Sequence, residues 1–357
     1  MKINDCIAPG ILRQSGYVAP EVDVPVKMDA NENPFGLQEP LKRRLLEKMS
    51  AVAFNRYPAA GSPELRERFA RYFGVKKDMI MPGNGSDELI QALCLAFRGK
   101  IKGVMVCSPT FAMYKIIGVN AGNKAVEVPL DKKFDLDVEA MTAKMSKTFP
   151  ALIFLSFPNS PTGNLFSKNR IEALIRKTPG VVVIDEAYAA FSGQSLLPLL
   201  KKYDNVIFLK TLSKLGLASM RIGFLIAHRE IVAQLDKVRL PYNINSLSQA
   251  AATFFLDYQE EFTRQVGEIV RRREELYQAL KKIAGIRPYP SRANFIFFSC
   301  DFDSDSIYKN LLAEGIAIKN LHVLPGTPGA MRVTVGTKEQ NEAFLEALKK
   351  VIETQGA

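Results

Sequence analysis

A chain of 357 residues, with 47% hydrophobic and 24% charged residues, is long enough for about two globular domains. No apolar run reaches the roughly 20 residues of a membrane helix, and the first ten residues lack the apolar core of a secretory signal, so we expect a cytoplasmic protein. The four cysteines are scattered and there are only two histidines, which argues against a disulfide framework, a metal site or a histidine-centred mechanism.

The net charge of +11 would suit either a nucleic acid or anionic small molecules. The densest basic groups, at residues 42–44 and 271–273, are short, and the second lies in a sequence with apolar residues at helical spacing. Such a group is typical of a solvated helix face. We therefore expect small-molecule substrates and neither a nucleic-acid nor a membrane partner. A nucleic-acid-binding protein is the alternative from another class.

Between residues 64 and 228, short apolar runs rich in β-branched residues alternate with helical patterns. Strands are predicted at 103–108, 126–130, 151–157, 180–186, 205–210 and 221–227, and helices at 63–73, 86–97 and 168–177. This alternation is typical of an α/β fold with a mostly parallel sheet covered by helices on both faces. Ligands of such sheets bind at the carboxyl ends of the strands.

The pattern changes after residue 258. A long charged helix at 260–283 precedes strand-like runs at 293–299, 315–320 and 331–337, with helices predicted at 306–315 and 339–352. We predict a large domain at 41–257, a smaller α+β domain at 258–357, and an N-terminal segment, 1–40, that packs on the small domain.

Two places in the large domain carry polar residues at a strand or helix end. Gly83 and Gly85 precede a helix that begins near Ser86, which would suit an anion at a helix N-terminus, although ordinary helix initiation has the same residues. Asp185 ends an apolar strand, where it either has a partner or caps the strand in water.

A third group follows the strand at 205–210. Thr211, Ser213, Lys214 and Arg221 bring hydroxyls and two cations together, as a phosphate and an imine-forming lysine would require. A polar loop with a solvated lysine is the other interpretation. The polar residues of the Pro/Gly turn at 158–163, likewise, need no more than turn chemistry.

Considered together, short motifs occur in one order along the chain: NENPFG, NRYP, GNGSDEL, SPTFAMY, PNSPTG, DEAY, TLSK, RIGF, PYN, ANF and MRVTVGT. This ordered set resembles the fold-type-I aminotransferases that use pyridoxal 5′-phosphate (PLP), over residues 17–340. Within class II of that family, the NENP and NRYP segments are similar to the histidinol-phosphate group. The resemblance implies a fold-type-I PLP transferase, a homodimer and PLP as cofactor.

The resemblance also implies roles for single residues. Lys214 would carry PLP as a Schiff base and move the proton between Cα and C4′, Asp185 would pair with the pyridinium nitrogen, and Tyr188 would bind the phenolic O3′. Phe111 would stack on the ring. The groups that would hold the cofactor phosphate are Ser86, the backbone of Asp87, Thr211, Ser213, Arg221 and, from the partner subunit, Tyr57.

The substrate would be held by Tyr17, Asn33 and Arg332, because the planar fork of an arginine binds a carboxylate or a phosphate in the same way. The sequence departs from its relatives twice. Ser160 replaces an asparagine that contacts O3′, so Asn159 is expected to take that contact. Lys319 stands where relatives carry an arginine, and we expect it near the substrate.

The implied reaction is transamination between histidinol phosphate/imidazole acetol phosphate and glutamate/2-oxoglutarate in histidine biosynthesis. An aromatic-amino-acid aminotransferase or a threonine-phosphate decarboxylase of the same fold is the alternative, because one fold serves several substrates.

Overall fold

The computed structural model describes residues 3–13, 22–321 and 327–355. Its strands are β1 (Val26–Lys27), β2 (Ile80–Asn84), β3 (Val104–Ser108), β4 (Ala125–Pro129), β5 (Leu152–Ser156), β6 (Val181–Asp185), β7 (Val206–Thr211), β8 (Ile222–Ile226), β9 (Ile286–Pro288), β10 (Phe295–Cys300), β11 (Ile316–Ala317), β12 (Lys319–Asn320) and β13 (Ala330–Thr334).

The α-helices are α1 (Pro9–Leu12), α2 (Glu39–Ser50), α3 (Pro63–Phe73), α4 (Gly85–Ala96), α5 (Met113–Asn120), α6 (Val138–Thr148), α7 (Lys168–Lys177), α8 (Ala189–Ser192), α9 (Arg229–Leu235), α10 (Ser246–Asp257), α11 (Gln259–Leu280), α12 (Ser304–Ala313) and α13 (Lys338–Gln355). Among these described helices, none combines the length and apolarity needed to cross a membrane.

A seven-stranded sheet forms the centre of the molecule, in the order β2-β8-β7-β6-β5-β3-β4. The pairs from β4 through β7 are parallel, whereas β8 runs antiparallel to both β7 and β2. Strands β5 and β6 are buried at every position because helices cover both faces. The predicted mostly parallel α/β sheet is therefore confirmed.

Strand β2 was not predicted. Its sequence, IMPGN, contains a proline and a glycine and only one β-branched residue, a composition that is unusual in strands. This composition is compatible with a strand here because β2 lies at the edge of the sheet, where it pairs with β8 alone. Its position is important for the site, because α4 begins directly after it at Gly85.

Separate apolar cores lie on the two faces of the large sheet. A third core surrounds a four-stranded antiparallel sheet, β12-β13-β10-β9, and includes Met28 from the N-terminal segment. Strand β1 pairs in parallel with β11, which directly precedes β12 of this smaller sheet along the chain. The N-terminal segment thus contacts the C-terminal part of the chain. The domain boundaries at residues 40 and 257 stay predictions.

Candidate active site

Polar side chains gather where β6 and β7 end and α4 begins. Because β6 and β7 are parallel neighbours, their carboxyl ends, at Asp185 and Thr211, lie at the same edge of the sheet. A cavity of about 100 Å³ opens there, which we call the inner cavity. It is lined by Ser86, Asp87, Phe111, Tyr114, Ser156, Asp185, Ala187, Tyr188, Thr211, Ser213, Lys214 and Arg221.

One end of the inner cavity has the properties of an anion site. Gly85 has a φ of +81°, which favours glycine, and an added Cβ there would lie 2.6 Å from the Arg221 guanidinium, which packs against the start of α4. Arg221 donates to Ser213 Oγ (3.4 Å) and Asp87 Oδ2 (3.0 Å). The N-terminus of α4, the hydroxyls of Ser86 and Ser213 and the guanidinium of Arg221 are groups of the kind that bind phosphate in proteins.

The other end of the inner cavity contains a buried acid. Asp185 is 4% exposed, and its carboxylate accepts hydrogen bonds from the Tyr114 hydroxyl (2.7 Å) and the Ala187 N–H (3.0 Å). Burial raises the pKa of Asp185 to about 6, and the two hydrogen bonds oppose that rise. A cation in the cavity would offset the cost of burying this carboxylate.

Tyr188 lies between the seven-stranded sheet and the four-stranded sheet. Its ring packs edge-to-face on Phe295 of the small sheet, with 5.1 Å between centroids. Its hydroxyl accepts a hydrogen bond from Asn31 Nδ2 (3.0 Å). Since an amide NH₂ is only a donor, the phenol proton of Tyr188 stays available for another acceptor.

Lys214 connects the inner cavity to a second one. Its short 3₁₀ helix, Ser213–Leu215, follows β7 directly, and Nζ donates to the Ala30 carbonyl (3.0 Å). The second cavity, which we call the outer cavity, has a volume of about 350 Å³. It is lined by Asp29, Ala30, Asn31, Thr110, Phe111, Ala112, Met113, Ser160, Pro161, Tyr188, Lys214, Lys319, Leu321 and Arg332.

Two cations stand side by side on the outer cavity. Lys319 of β12 and Arg332 of β13 are cross-strand partners in the antiparallel small sheet. Arg332 donates to Ser160 Oγ (3.3 Å) and to the Asp29 carbonyl (2.7 Å). The arrangement provides a place for one or two anionic groups opposite Lys214.

Some of the expected site residues do not line either cavity. Asn33 donates to Gln265 Oε1 (2.9 Å) and accepts from the Phe35 N–H (2.8 Å), and Asn31, two residues earlier, lines the outer cavity instead. The role of Asn33 at the substrate stays a prediction. Tyr57 is 80% exposed and stacks on Tyr242, away from the cavities of its own chain. Tyr17 lies outside the described residues.

Asn159 is likewise engaged elsewhere. It is fully buried, with its amide bound to Thr110 Oγ1, the Pro109 carbonyl and Thr162 Oγ1 at 2.8–3.0 Å. These bonds fix the turn, and Ser160, the next residue, lines the outer cavity. Neither Asn159 nor Ser160 lines the inner cavity, so the contact of Asn159 with O3′ stays a prediction.

Sequence reasoning missed Tyr114, Ser156 and Asn31, all of which line one of the cavities. Tyr114 is the last residue of the SPTFAMY motif, and its position three residues after Phe111 was the available signal. Asn31 stood in NENPFG beside Asn33, and nothing local distinguishes these two asparagines.

Comparison with known proteins identifies the family of this chain. Residues 24–348 match the model of the family described as aminotransferase class I and II. The chain is 41% identical over 352 residues, 98% of both chains, to a histidinol-phosphate aminotransferase 2 of Nitrosococcus oceani. It is 40% identical over 330 residues, 92% of this chain and 93% of the relative, to a histidinol-phosphate aminotransferase of Aquifex aeolicus.

The fold is shared with a crystal structure of histidinol-phosphate aminotransferase from Sinorhizobium meliloti in complex with pyridoxal-5′-phosphate. The TM-score is 0.87, with 23% sequence identity and 98% of each chain covered. At that identity the likeness concerns the fold, whereas the family rests on the match of residues 24–348 and on the relatives of about 40% identity. The chain therefore belongs to the class I and II aminotransferase family and, within it, groups with the proteins named histidinol-phosphate aminotransferase.

Proposed function

We propose that this protein is a PLP-dependent aminotransferase that transfers an amino group between histidinol phosphate/imidazole acetol phosphate and glutamate/2-oxoglutarate, in histidine biosynthesis. The observation that carries the proposal is the position of Lys214, which lines both the inner and the outer cavity. A lysine in that position can bond to a cofactor in the first and act on a substrate in the second. The names of the relatives of about 40% identity support the same reaction.

The inner cavity fits PLP at both of its ends. The cradle of Gly85, Ser86, Ser213 and Arg221 suits the phosphate, because it combines the N-terminus of α4 with two hydroxyls and a guanidinium. Asp185 suits the pyridine nitrogen, because a buried carboxylate needs a cationic partner. When bound, PLP supplies an aldehyde that bonds to amines and a ring that withdraws electrons from the reacting carbon.

The residues of the chain then have separable tasks. Asp185 would hold the proton on the pyridine nitrogen, and Tyr188 would donate its phenol proton to O3′, because Asn31 already donates to Tyr188. Phe111 would cover the ring and exclude water from it. Nζ of Lys214 would take the proton from the substrate Cα and return it to C4′.

Charge favours histidinol phosphate and glutamate over aromatic amino acids. A phosphate monoester carries nearly two negative charges at neutral pH, and glutamate carries two carboxylates. Lys319 and Arg332 supply two positive charges at adjacent positions of the small sheet. The single carboxylate of an aromatic amino acid would leave one of these cations without an anionic partner.

A screen of half-reactions tests the function. The PLP-loaded protein is mixed with single amino acids and amino phosphates, and conversion of the bound cofactor to its amine form is followed by absorbance. We expect the highest kcat/KM for histidinol phosphate, with glutamate also accepted. Faster conversion by phenylalanine or tyrosine than by histidinol phosphate would overturn the substrate assignment, and release of carbon dioxide would point to a decarboxylase.

We infer, further, that the protein acts as a homodimer in the cytoplasm. Four large apolar residues, Phe54, Tyr57, Leu240 and Tyr242, are 48–80% exposed, a degree that favours burial against another chain. The stacked pair of Tyr57 and Tyr242 would then bring Tyr57 to the cofactor phosphate of the partner subunit.

Mixing two damaged chains tests the shared site. A dimer of one Lys214→Ala chain and one Tyr57→Phe chain has one site with both lesions and one with neither. If Tyr57 serves the partner, activity after chain exchange rises above that of either parent. Unchanged activity, with exchange proven by mass spectrometry of differently tagged chains, would mean that each chain builds its own site.

A further inference from the structure

We propose that Tyr114 is a positioning residue for Asp185, whose carboxylate it holds in the ionised form at the floor of the inner cavity. The proposal rests on the proposed function, in which Asp185 pairs with the pyridine nitrogen of PLP. Tyr114 acts through Asp185 and is assigned no contact with the substrate.

Tyr114 is fixed by its surroundings. It lies on α5 and is 0% exposed, and its ring stacks on Phe154 of β5 with 4.9 Å between centroids and 8° between planes. Phe111 packs against it edge-on at 5.3 Å. With the ring held on two sides, the hydroxyl has one direction, and it donates to Asp185 Oδ2 at 2.7 Å.

The proton of this hydrogen bond belongs to the tyrosine. Burial raises the pKa of the Tyr114 phenol well above its ordinary value, and the negative charge of Asp185 raises it further. Tyr114 therefore remains a donor over the whole range in which an enzyme of this kind works. A permanent donor favours the charged form of the acid that accepts from it.

Such a donor matters to Asp185 because some of its other surroundings oppose the charge of the carboxylate and others favour it. Burial disfavours its charge, and so do Asp87 and Glu186. Lys214 and Arg221 line the same cavity and favour the charge, but Arg221 is paired with Asp87 and Lys214 donates to Ala30. The Ala187 N–H and the Tyr114 hydroxyl are the two donors described on the carboxylate itself. Of these, only the hydroxyl can be removed by a side-chain substitution.

The test is the pH dependence of cofactor affinity in Tyr114→Phe. Pyridoxamine 5′-phosphate is the probe, because it has the ring of PLP but no aldehyde to bond to Lys214, and its dissociation constant is measured from pH 4.5 to 8.5. Losing a hydrogen bond to a charged group shifts an equilibrium roughly 10- to 100-fold, so the acidic midpoint should rise by about 1 to 2 pH units.

Two controls separate positioning from structure. Tyr203→Phe also removes a tyrosine hydroxyl that donates to a carboxylate, that of Glu172 at 2.8 Å. Neither Tyr203 nor Glu172 lines the inner or the outer cavity, so this variant should leave the midpoint unchanged. In an Asp185→Asn background, adding Tyr114→Phe should change the affinity less than twofold, because the ionisable partner is gone.

An unmoved midpoint in Tyr114→Phe, or an equal loss of affinity with and without Asp185, would overturn the proposal. If Tyr114→Phe does not fold, 3-fluorotyrosine is introduced at position 114. Its more acidic hydroxyl is a stronger donor and should lower the midpoint, and any other result overturns the proposal. Failure of the proposed function is recognised separately, because wild-type protein would then bind neither pyridoxamine phosphate nor PLP.

Discussion

The inner and outer cavities share Lys214 but are held together in different ways. In the inner cavity, charged groups are paired with other side chains, as Arg221 is with Asp87 and Asp185 is with Tyr114. In the outer cavity, two cations donate to backbone carbonyls, Lys214 to that of Ala30 and Arg332 to that of Asp29, and Arg332 donates also to Ser160 Oγ. A substrate anion would compete with these carbonyl oxygens for the N–H donors of the two cations.

We therefore expect substitutions in the inner cavity to affect every substrate alike, and substitutions in the outer cavity to discriminate between substrates. Four experiments, taken from the largest expected effect to the smallest, test this difference.

Lys214→Ala should lower turnover about 10,000-fold with both histidinol phosphate and glutamate, because the covalent bond to the cofactor and the proton carrier are lost together. Borohydride reduction of the wild-type protein followed by peptide mapping should place the cofactor on Lys214. Lys202→Ala, at an exposed lysine paired with Glu172, is the control and should be fully active. A reduced cofactor found on Lys210 would refute the assignment.

Asp185→Asn should retain the cofactor but lower kcat about 1000-fold, equally for the two amino substrates, because a neutral amide cannot hold the charge of the pyridinium. Single-turnover absorbance measurements give the ratio of the wild-type rate to the Asp185→Asn rate for each of the two substrates. Asp204→Asn changes a carboxylate that is 97% exposed and serves as the control. A loss that differs more than tenfold between substrates would contradict the division between the cavities.

The cofactor-free protein should become less stable as pH rises from about 4 to 6. The pKa of Asp185 is about 6 in the folded chain against 3.8 for an ordinary aspartate, so the folded state binds the extra proton. Its stabilising contribution is complete below pH 3.8 and lost above 6. The two pKa values differ by about two, which corresponds to roughly 3 kcal/mol.

Urea unfolding of the cofactor-free protein at several pH values measures this loss, and Asp185→Asn is the matched comparison. The part of the slope that is due to Asp185 should be absent from the variant. Equal slopes in the two proteins would mean that Asp185 titrates normally. PLP should remove the effect as well, because it gives the carboxylate a cationic partner.

Lys319→Ala tests the outer cavity and should have the smallest effect. We expect kcat/KM for histidinol phosphate to fall about tenfold, with a smaller loss for glutamate, because a charged hydrogen bond to the phosphate is removed. Lys319→Arg should retain or improve the phosphate substrate. Both half-reactions are measured in each variant, and equal small losses would place Lys319 outside the substrate site.

The sequence predicted the large sheet well, since strands buried on both faces, such as β5 and β6, are continuous apolar runs that need no tertiary information. The same applies to residues at strand ends: Asp185, Thr211 and Lys214 meet because parallel strands end at one edge. Edge strand β2 was not predicted, because its pairing with β8, rather than its own composition, makes it a strand.

Side-chain direction was beyond the sequence. Asn31 and Asn33 differ by two positions, and only the contacts of Asn33 with Gln265 and of Asn31 with Tyr188 decide which of them reaches the cavity. Asn159 and Ser160 differ in the same way, because the turn uses the Asn159 amide for itself. Whether Tyr57 serves a neighbouring subunit depends on an assembly that a single chain does not contain.

The backbone of residues 29–31 gives the outer cavity a built-in competitor. A substrate anion that approaches Arg332 competes with the Asp29 carbonyl oxygen that already accepts a hydrogen bond from this guanidinium. The measured affinity for the substrate then reflects the difference between two acceptors of the Arg332 hydrogen bond, the substrate anion and the Asp29 carbonyl. A relative with the same cations but a differently curved backbone at these three residues would bind the same substrate with another strength, so selectivity can evolve without any change in the residues that touch the ligand.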